Sequence, residues 1–412
     1  MSPAPACRSC GAALATVFAD LGETPLANSF VRPEDLNRRE RFYPLRAYAC
    51  DACHLVQLEA FESPAEIFGD YAYFSSYSES WLAHARAYAG MIVERIGLAP
   101  GAQVVEVASN DGYLLRNFLG RGFRVLGIDP AANVARAAEA AGVPTRVAFF
   151  GETLARDLVA EGITADLLIG NNVLAHVPEL NDFVAGLGAL LAPRGVLTME
   201  FPHLLRLIEE NQFDTIYHEH FSYFSLLAAQ ALFARHGLRI FDVELLPTHG
   251  GSLRIHVAHE SDRARPEAPA VAALIGAERA AGLDTPAPYY AFAGRVEGCR
   301  RELLRFLHEA RDRGRTVAGY GAPAKGNTLL NYCGVGPDLV AFTVDKSPHK
   351  QGTYLPGTHI PVYAPERLRE SRPDYVLILP WNLKEEVMAQ TGYVREWGGR
   401  FVVPIPSVAV VP

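Results

Sequence analysis

The chain has 412 residues, 49% hydrophobic and 20% charged, a balance that excludes disorder and collagen-like or coiled-coil rods. At roughly 100–200 residues per domain, that length predicts two to four domains, each burying its own core. The 38 Lys and Arg against 46 Asp and Glu leave a net charge of -8, which argues against nonspecific nucleic-acid binding but leaves room for a basic pocket around one phosphorylated ligand.

No run approaches the ~18–20 apolar residues that a membrane span needs, so no membrane role is expected. The first seven residues, Met-Ser-Pro-Ala-Pro-Ala-Cys, lack a charged region followed by an apolar one, so they do not read as a secretory signal. The expected compartment is the cytoplasm. Six cysteines in so long a chain do not make a disulfide scaffold, but four of them are informative. Cys7-Arg8-Ser9-Cys10 and Cys50-Asp51-Ala52-Cys53 are two CxxC pairs, and Gly11 suits the tight turn after the first. Two such pairs complete a tetrahedral thiolate shell for Zn²⁺, and a full shell leaves no open position, so the metal is expected to be structural. His54 follows Cys53 and reads as a bystander.

An aromatic and serine-rich run follows, Tyr71-Ala72-Tyr73-Phe74-Ser75-Ser76-Tyr77-Ser78, and then an amphipathic helix over about Glu79 to Gly97. A strand over Gln103 to Val107 runs into Ala108-Ser109-Asn110-Asp111-Gly112 and a helix from Tyr113. A second strand, Phe123 to Ile128, ends in Asp129, 17 residues after Gly112. This is a β-loop-α-β unit with a ligand over its first loop and a carboxylate placed for a ribose diol. The loop is not GxGxxG, so it lacks a pyrophosphate cradle. S-adenosylmethionine (SAM) carries no phosphate, and Glu106 and Asp129 at the two strand ends suit it. Ala165 to Val177 reads as a further strand ending in a polar loop at Asn171-Asn172. A helix to Leu191 and a strand through Val196 to Glu200 follow. The order resembles that of a class I SAM-dependent methyltransferase.

Next comes Tyr217-His218-Glu219-His220-Phe221. Ionisable groups flanked by aromatics suit proton transfer, because partial desolvation moves pKa values toward working pH. As an extended loop, Tyr217 and Glu219 would point opposite to His218 and His220; as a helical turn, Tyr217 and His220 would share a face. His249-Gly250-Gly251 sits before a strand near Leu253 to Val257. A helical stretch from Val271 to Arg313 breaks near Pro286-Ala287-Pro288. Arg315 to Gly321 is a strand entering a glycine loop, and Leu339 to Val344 is a second ending in Asp345. This is a second Rossmann-like unit, with Lys346 and Lys350 close behind it and a further strand at Tyr375 to Leu379.

The four cysteines, the tyrosine-serine run, Val107 to Gly112, the Tyr217 to Phe221 motif and the Gly319-Tyr320-Gly321-Ala322-Pro323-Ala324-Lys325-Gly326-Asn327-Thr328-Leu329-Leu330-Asn331 block together resemble the SAM-dependent sugar C-methyltransferases. These act on nucleotide-activated keto-deoxyhexoses. The resemblance covers essentially the whole chain. It implies an α/β protein in three parts: a zinc module (1–68), a Rossmann-like SAM domain (69–262) and a second Rossmann-like domain that helps hold the nucleotide sugar (263–412). It implies that His220 is the base that forms an enolate at C3, beside a C4 ketone, with Glu219 tuning it and Tyr217 donating near the ketone. Tyr71 is expected at the catalytic centre, and Tyr73, Ser75, Ser76, Tyr77, Lys325, Asn327 and Lys350 against the substrate. Glu106, Ala108, Ser109, Asn110, Asp111, Gly112, Asp129, Pro130, Asn171 and Asn172 are expected around SAM. The implied partner is a dTDP-4-keto-6-deoxyhexose. Competing readings are an O- or N-methyltransferase, a zinc-ribbon adaptor and an NAD-dependent oxidoreductase. No oligomeric state is legible.

Overall fold

The computed structural model describes residues 5–62, 75–77 and 79–411. Tyr71, Tyr73 and the side chain of Tyr77 lie outside the described residues.

The N-terminal part is an antiparallel sheet beside the cysteine pairs. β1 (Thr16–Thr24), β2 (Tyr43–Ala49) and β3 (Val56–Leu58) pair in order. Their inward faces carry Phe18, Leu21, Leu45 and Val56, all buried. Phe18 stacks on Phe292, with ring centroids 4.4 Å apart, which fastens this sheet to a long C-terminal helix, Ala287–Asp312.

The central sheet holds β4 (Gln103–Val107), β5 (Arg124–Asp129), β6 (Thr145–Val147), β7 (Ala165–Asn171) and β8 (Leu191–Pro202). A two-residue strand, β9 (Ser222–Tyr223), leaves this layer to become the fourth strand of the N-terminal sheet. β10 (Leu238–Leu246) and β11 (Ser252–His259) then close the central sheet. Its order is β10-β11-β8-β7-β4-β5-β6, parallel except that β11 runs against both neighbours. β4 is entirely buried, as a parallel strand covered on both faces should be. The connections reverse direction between β4 and β7, and the crevice at that switch point is where ligands of such sheets bind.

The third sheet repeats this plan. β12 (Val317–Tyr320), β13 (Thr343–Val344), β14 (Val362–Tyr363), β15 (Tyr375–Ile378), β16 (Arg400–Val403) and β17 (Ala409–Val411) are ordered β14-β13-β12-β15-β16-β17. Only β17 is antiparallel to its neighbour.

Two local expectations shift. The helix expected from Tyr113 is confined to Arg116–Leu119, because Gly112 leaves the loop with φ +74° and the chain turns before it can wind. The strand expected over Leu339 to Val344 is only Thr343–Val344, since Leu339 and Val340 both donate to the carbonyl of Gly336 in a turn. The helical stretch breaks before Ala287 as expected, into Pro269–Ala280 and Ala287–Asp312. The first of these packs its Val271 and Leu274 into the core of the central sheet.

Candidate active site and metal knuckle

The two cysteine pairs form matching turns. The N–H of Gly11 donates to the carbonyl of Cys7, and that of His54 to the carbonyl of Cys50, both at 2.8 Å. Cys7 N–H donates to Ala12 O at 2.7 Å and Cys50 N–H to Leu55 O at 2.9 Å. Gly11 and His54 both take positive φ, at +77° and +60°. His54 is therefore the turn residue of the second knuckle. The four sulfurs lie within 4.8 Å of one another, with Cys7–Cys53 and Cys10–Cys50 at 3.5 Å. Zn–S bonds of about 2.3 Å put tetrahedral sulfurs ~3.8 Å apart, so the shell fits zinc. Gln57 Nε2 donates to Cys7 Sγ at 3.2 Å, a bond that steadies a thiolate.

The loop after β4 is the cofactor candidate. Ala108, Asn110 and Gly112 all have positive φ. A Cβ on Gly112 would stand 2.9 Å from Val143 Cγ2, so only glycine fits. Asp129 at the end of β5 accepts from the backbone N–H of Asn110 and of Ala131, each at 2.9 Å. Pro130 follows it into the helix Ala132–Ala140. Glu106 is fully buried, and neither carboxylate oxygen has a hydrogen-bond partner among the described residues. Burial, with Asp129 and Asp111 nearby, raises its pKa well above the ordinary range. A buried orphan acid beside strained backbone is a site built for a donor-bearing ligand, and the amino and ribose hydroxyl groups of SAM are such donors. Asn171 and Asn172 end β7, each with a buried, unpartnered Oδ1 among the described residues, and Asn172 takes φ +53°. Ser109 is buried at the crossing with β5. Ser75 N–H donates to Asn110 Oδ1 at 2.9 Å and Ser76 N–H to Asp111 Oδ2 at 3.1 Å. These two serines therefore rest on the cofactor loop.

The segment 213–221 forms tight turns. His220 N–H donates to Tyr217 O at 2.8 Å, so Tyr217 and His220 share a face. Nδ1 of His220 lies 3.0 Å from the carbonyl of Thr215, which only accepts, so Nδ1 carries the proton. Nε2 is then the lone-pair nitrogen, and it accepts from the Tyr217 hydroxyl at 2.8 Å. Burial, with the charge of His176 next, holds the His220 pKa well below the usual histidine range and keeps the ring neutral. His176 packs edge-on against His220, with centroids 4.7 Å apart, and its own Nδ1 donates to the carbonyl of Glu219 at 2.8 Å. Glu219 is buried, accepts from Asn28 Nδ2 at 2.7 Å, and has its pKa raised by burial. His218 points the other way, to the carbonyl of Pro44 at 3.2 Å.

The C-terminal unit clasps this segment. Thr328, on the helix Ala324–Cys333, donates its hydroxyl to the carbonyl of Ile216 at 3.2 Å. Trp381 Nε1 donates to Asp214 Oδ2 at 2.7 Å, and burial pushes Asp214 up to about 6. Lys325 Nζ lies 4.6 Å over the Trp381 ring and donates to Asn382 Oδ1 at 2.8 Å. Burial lowers its pKa. Asn327 Nδ2 turns instead to the carbonyl of Ala27 at 2.6 Å, tying this helix to the N-terminal part. Lys350 Nζ donates to Ala322 O at 2.9 Å, 3.9 Å from Asp345. Asp345 repeats the geometry of Asp129, accepting from the N–H of Ala322 at 2.7 Å and of Ser347 at 2.8 Å.

The structure thus gathers Tyr217, Glu219 and His220 into one turn and the 106–112 and 129 groups around one loop. Lys325 joins the segment through Asp214 and Trp381. His176 and Thr328 enter the site without having been singled out from sequence. So does Glu200 at the end of β8, which binds His84 at 2.9 Å, Arg254 at 2.7 Å and Thr248 at 2.9 Å. Burial works to raise its pKa, but those partners hold it at about 2.

Residues 7–68 match a family described as a zinc binding domain, 81–243 a "Methyltransferase domain", and 247–406 the "C-methyltransferase C-terminal domain". The chain is 40% identical to the C-methyltransferase NovU of Streptomyces niveus over 409 residues, covering 99% of this chain and 97% of that protein. Among solved structures, it is similar to magnesium protoporphyrin IX methyltransferase of Synechocystis PCC 6803 with bound SAM, with 16% identity and TM-score 0.34, covering 47% of this chain and 88% of that one. It is also similar to the PH0226 protein of Pyrococcus horikoshii OT3, with 15% identity and TM-score 0.36, covering 48% of this chain and 100% of that one.

Proposed function

Because the chain belongs to the SAM-dependent C-methyltransferase family with an N-terminal zinc-binding module, we propose that its acceptor is the carbon beside the ketone of a nucleotide-linked keto-deoxyhexose. The observation that carries this reading is the fixed tautomer of His220. A C-methylation needs a carbon nucleophile, so a proton must first leave carbon, and that calls for a neutral base in a water-poor site. His220 offers a lone pair on Nε2 and is held neutral by burial.

A C4 ketone acidifies the C3 proton. His220 Nε2 takes that proton, and the electron pair of the C–H bond moves into the enolate. We assign the hydroxyl of Tyr217, 2.8 Å from Nε2 of His220, and the ammonium of Lys325, whose charge is felt at His220, to favour negative charge on the enolate oxygen. His176 and Glu219 hold each other and His220 in register. SAM supplies the methyl group, and Glu106, the 108–112 backbone, Asp129, Pro130, Asn171 and Asn172 are the residues that would hold it. Ser75 and Ser76 rest on the cofactor loop, and Tyr71, Tyr73 and Tyr77 are assigned to the substrate by the family resemblance alone. Asp345, built like Asp129, together with Lys350 is our candidate for the nucleotide end of the sugar; the choice of dTDP rests on the family resemblance alone. We keep the functional boundaries at 68 and 262 that the family resemblance implies, with the helix Pro269–Ala280 packed back on the central sheet. No helix among the described residues is long and apolar enough to cross a membrane; none of the six cysteines is in a disulfide, which fits the cytoplasmic setting we propose.

The test is a mass-spectrometric assay with SAM and a panel of dTDP-, GDP- and CDP-linked 4-keto-6-deoxyhexoses. One methyl gained on one keto sugar supports the reading and names the nucleotide. SAM binding without methyl gain on any keto sugar would move the activity to an O- or N-methylation.

A further inference from the structure

The catalytic segment is continuous with β9, and β9 is the outermost strand of the zinc module's own sheet. Its pairing is short: Val56 opposite Tyr223, Gln57 opposite Ser222, and one further bond from Leu58 N–H to Phe221 O at 3.0 Å. So short a ladder specifies its register weakly, and a slip of one residue would turn every side chain to the opposite face. His220 lies two residues before this pairing.

β3 is held on its other side by β2, from Ala49 opposite Val56 to Ala47 opposite Leu58, and the first knuckle holds it as well. Gln57 is 1% exposed. Its Nε2 donates to Cys7 Sγ at 3.2 Å, and its Oε1 accepts from the backbone N–H of Arg8 at 2.9 Å. Both ends of one side chain are therefore committed to the knuckle. Arg8 continues outward: its guanidinium lies 5.4 Å over the Phe221 ring, donates to Pro178 O at 3.1 Å, and donates also to Leu58 O. Thus the knuckle holds β3 through Gln57 and grips the residue next to His220 through Arg8.

We infer that Gln57 is a positioning residue, coupling the filled cysteine knuckle to the placement of His220. The inference rests on reading His220 as the base. A Gln57 that merely satisfies a buried thiolate would leave the 217–223 segment untouched when replaced.

The experiment compares the zinc-loaded wild type with Gln57→Met, which keeps the side chain's length and removes both hydrogen bonds. Hydrogen exchange, zinc content and kinetics are read together. Expected are an unchanged single zinc, faster exchange in peptides covering 217–223, unchanged exchange in β7, and a kcat lowered about 10- to 100-fold with the KM for SAM unchanged. Unchanged exchange at 217–223 would overturn the inference, as would a loss of activity that only tracks loss of zinc. If Gln57→Met does not fold, the wild type treated with a zinc chelator decides: faster exchange reaching 217–223 supports the coupling, and faster exchange confined to residues 5–53 overturns it. A His220→Ala control separates the two claims. Were that variant to keep turnover, the base assignment would fall, while the exchange data would still report whether Gln57 holds the segment.

Discussion

The hydroxyl of Tyr217 lies 2.8 Å from Nε2 of His220 and donates its proton there. The direction is forced, because the other ring nitrogen is already committed to the Thr215 carbonyl. Tyr217 thus marks the basic nitrogen in the resting site, and its hydroxyl must yield that position when the base takes a proton from carbon. His220→Ala and His220→Asn should keep SAM affinity and lose about 10²–10⁴-fold in turnover, the usual worth of a general base. Tyr217→Phe should lose less. Calorimetric SAM titration beside steady-state kinetics reads both, and a His220 variant with wild-type turnover would remove the base assignment.

Two buried groups pull stability in opposite directions with pH. Burial holds His176 at about 4, below its ordinary 6.5. Its contribution is present above pH 6.5 and is lost as pH falls toward 4. Asp214 is raised from 3.8 to about 6, so its contribution is full below pH 3.8 and is lost as pH rises through 6. His176→Asn should therefore flatten the rise of Tm between pH 4 and 6.5, and Asp214→Asn should steepen it. Thermal melts across that range check the pair; the same slope in both variants would contradict the assignment.

The zinc is expected to be structural, at one ion per chain. Cys50→Ser or prolonged chelation should expose the N-terminal sheet and lower Tm, with the chemical step affected only through the fold. Metal analysis with circular dichroism measures this. An apo-protein that stays folded, binds SAM, keeps the wild-type exchange at 217–223 and still loses catalysis would contradict it.

Gly112 combines φ +74° with a Cβ position 2.9 Å from Val143. Gly112→Ala should cost about 1–3 kcal/mol of stability and weaken SAM binding. Chemical denaturation with a SAM titration tests this, and a neutral result would mean that the loop relaxes freely.

Thr328 reaches the segment from the opposite side, through the Ile216 carbonyl. Thr328→Val should lower kcat with little change in KM, and Thr328→Ser should restore it. A loss of equal size in both variants would assign the effect to packing rather than to the hydroxyl.

The parts that were legible in the sequence are local. Each CxxC is one turn, and each strand-loop-strand-acid unit is a run of about 30 residues, so neighbouring residues carry the signal. The His220 turn was half legible: its composition was plain, but the choice between loop and turn depended on the Tyr217–His220 backbone bond. What stayed hidden is long-range. β9 is two residues long and shows no alternation. Thr328 lies 112 residues from its partner carbonyl. His176 follows a strand in an ordinary polar loop, and only the fold brings it against His220. Asn327 was read toward substrate from its motif, yet its amide faces Ala27, a contact across 300 residues that no local pattern encodes.

The central claim is that His220 removes a proton from carbon, and deuterium uptake tests it most directly. The enzyme would be held in D2O with the keto sugar and S-adenosylhomocysteine, so that no methyl transfer follows. The account predicts deuterium at the carbon beside the ketone with wild type and none above background with His220→Ala. Equal uptake in both proteins, or methyl transfer without any uptake in the wild type, would contradict it.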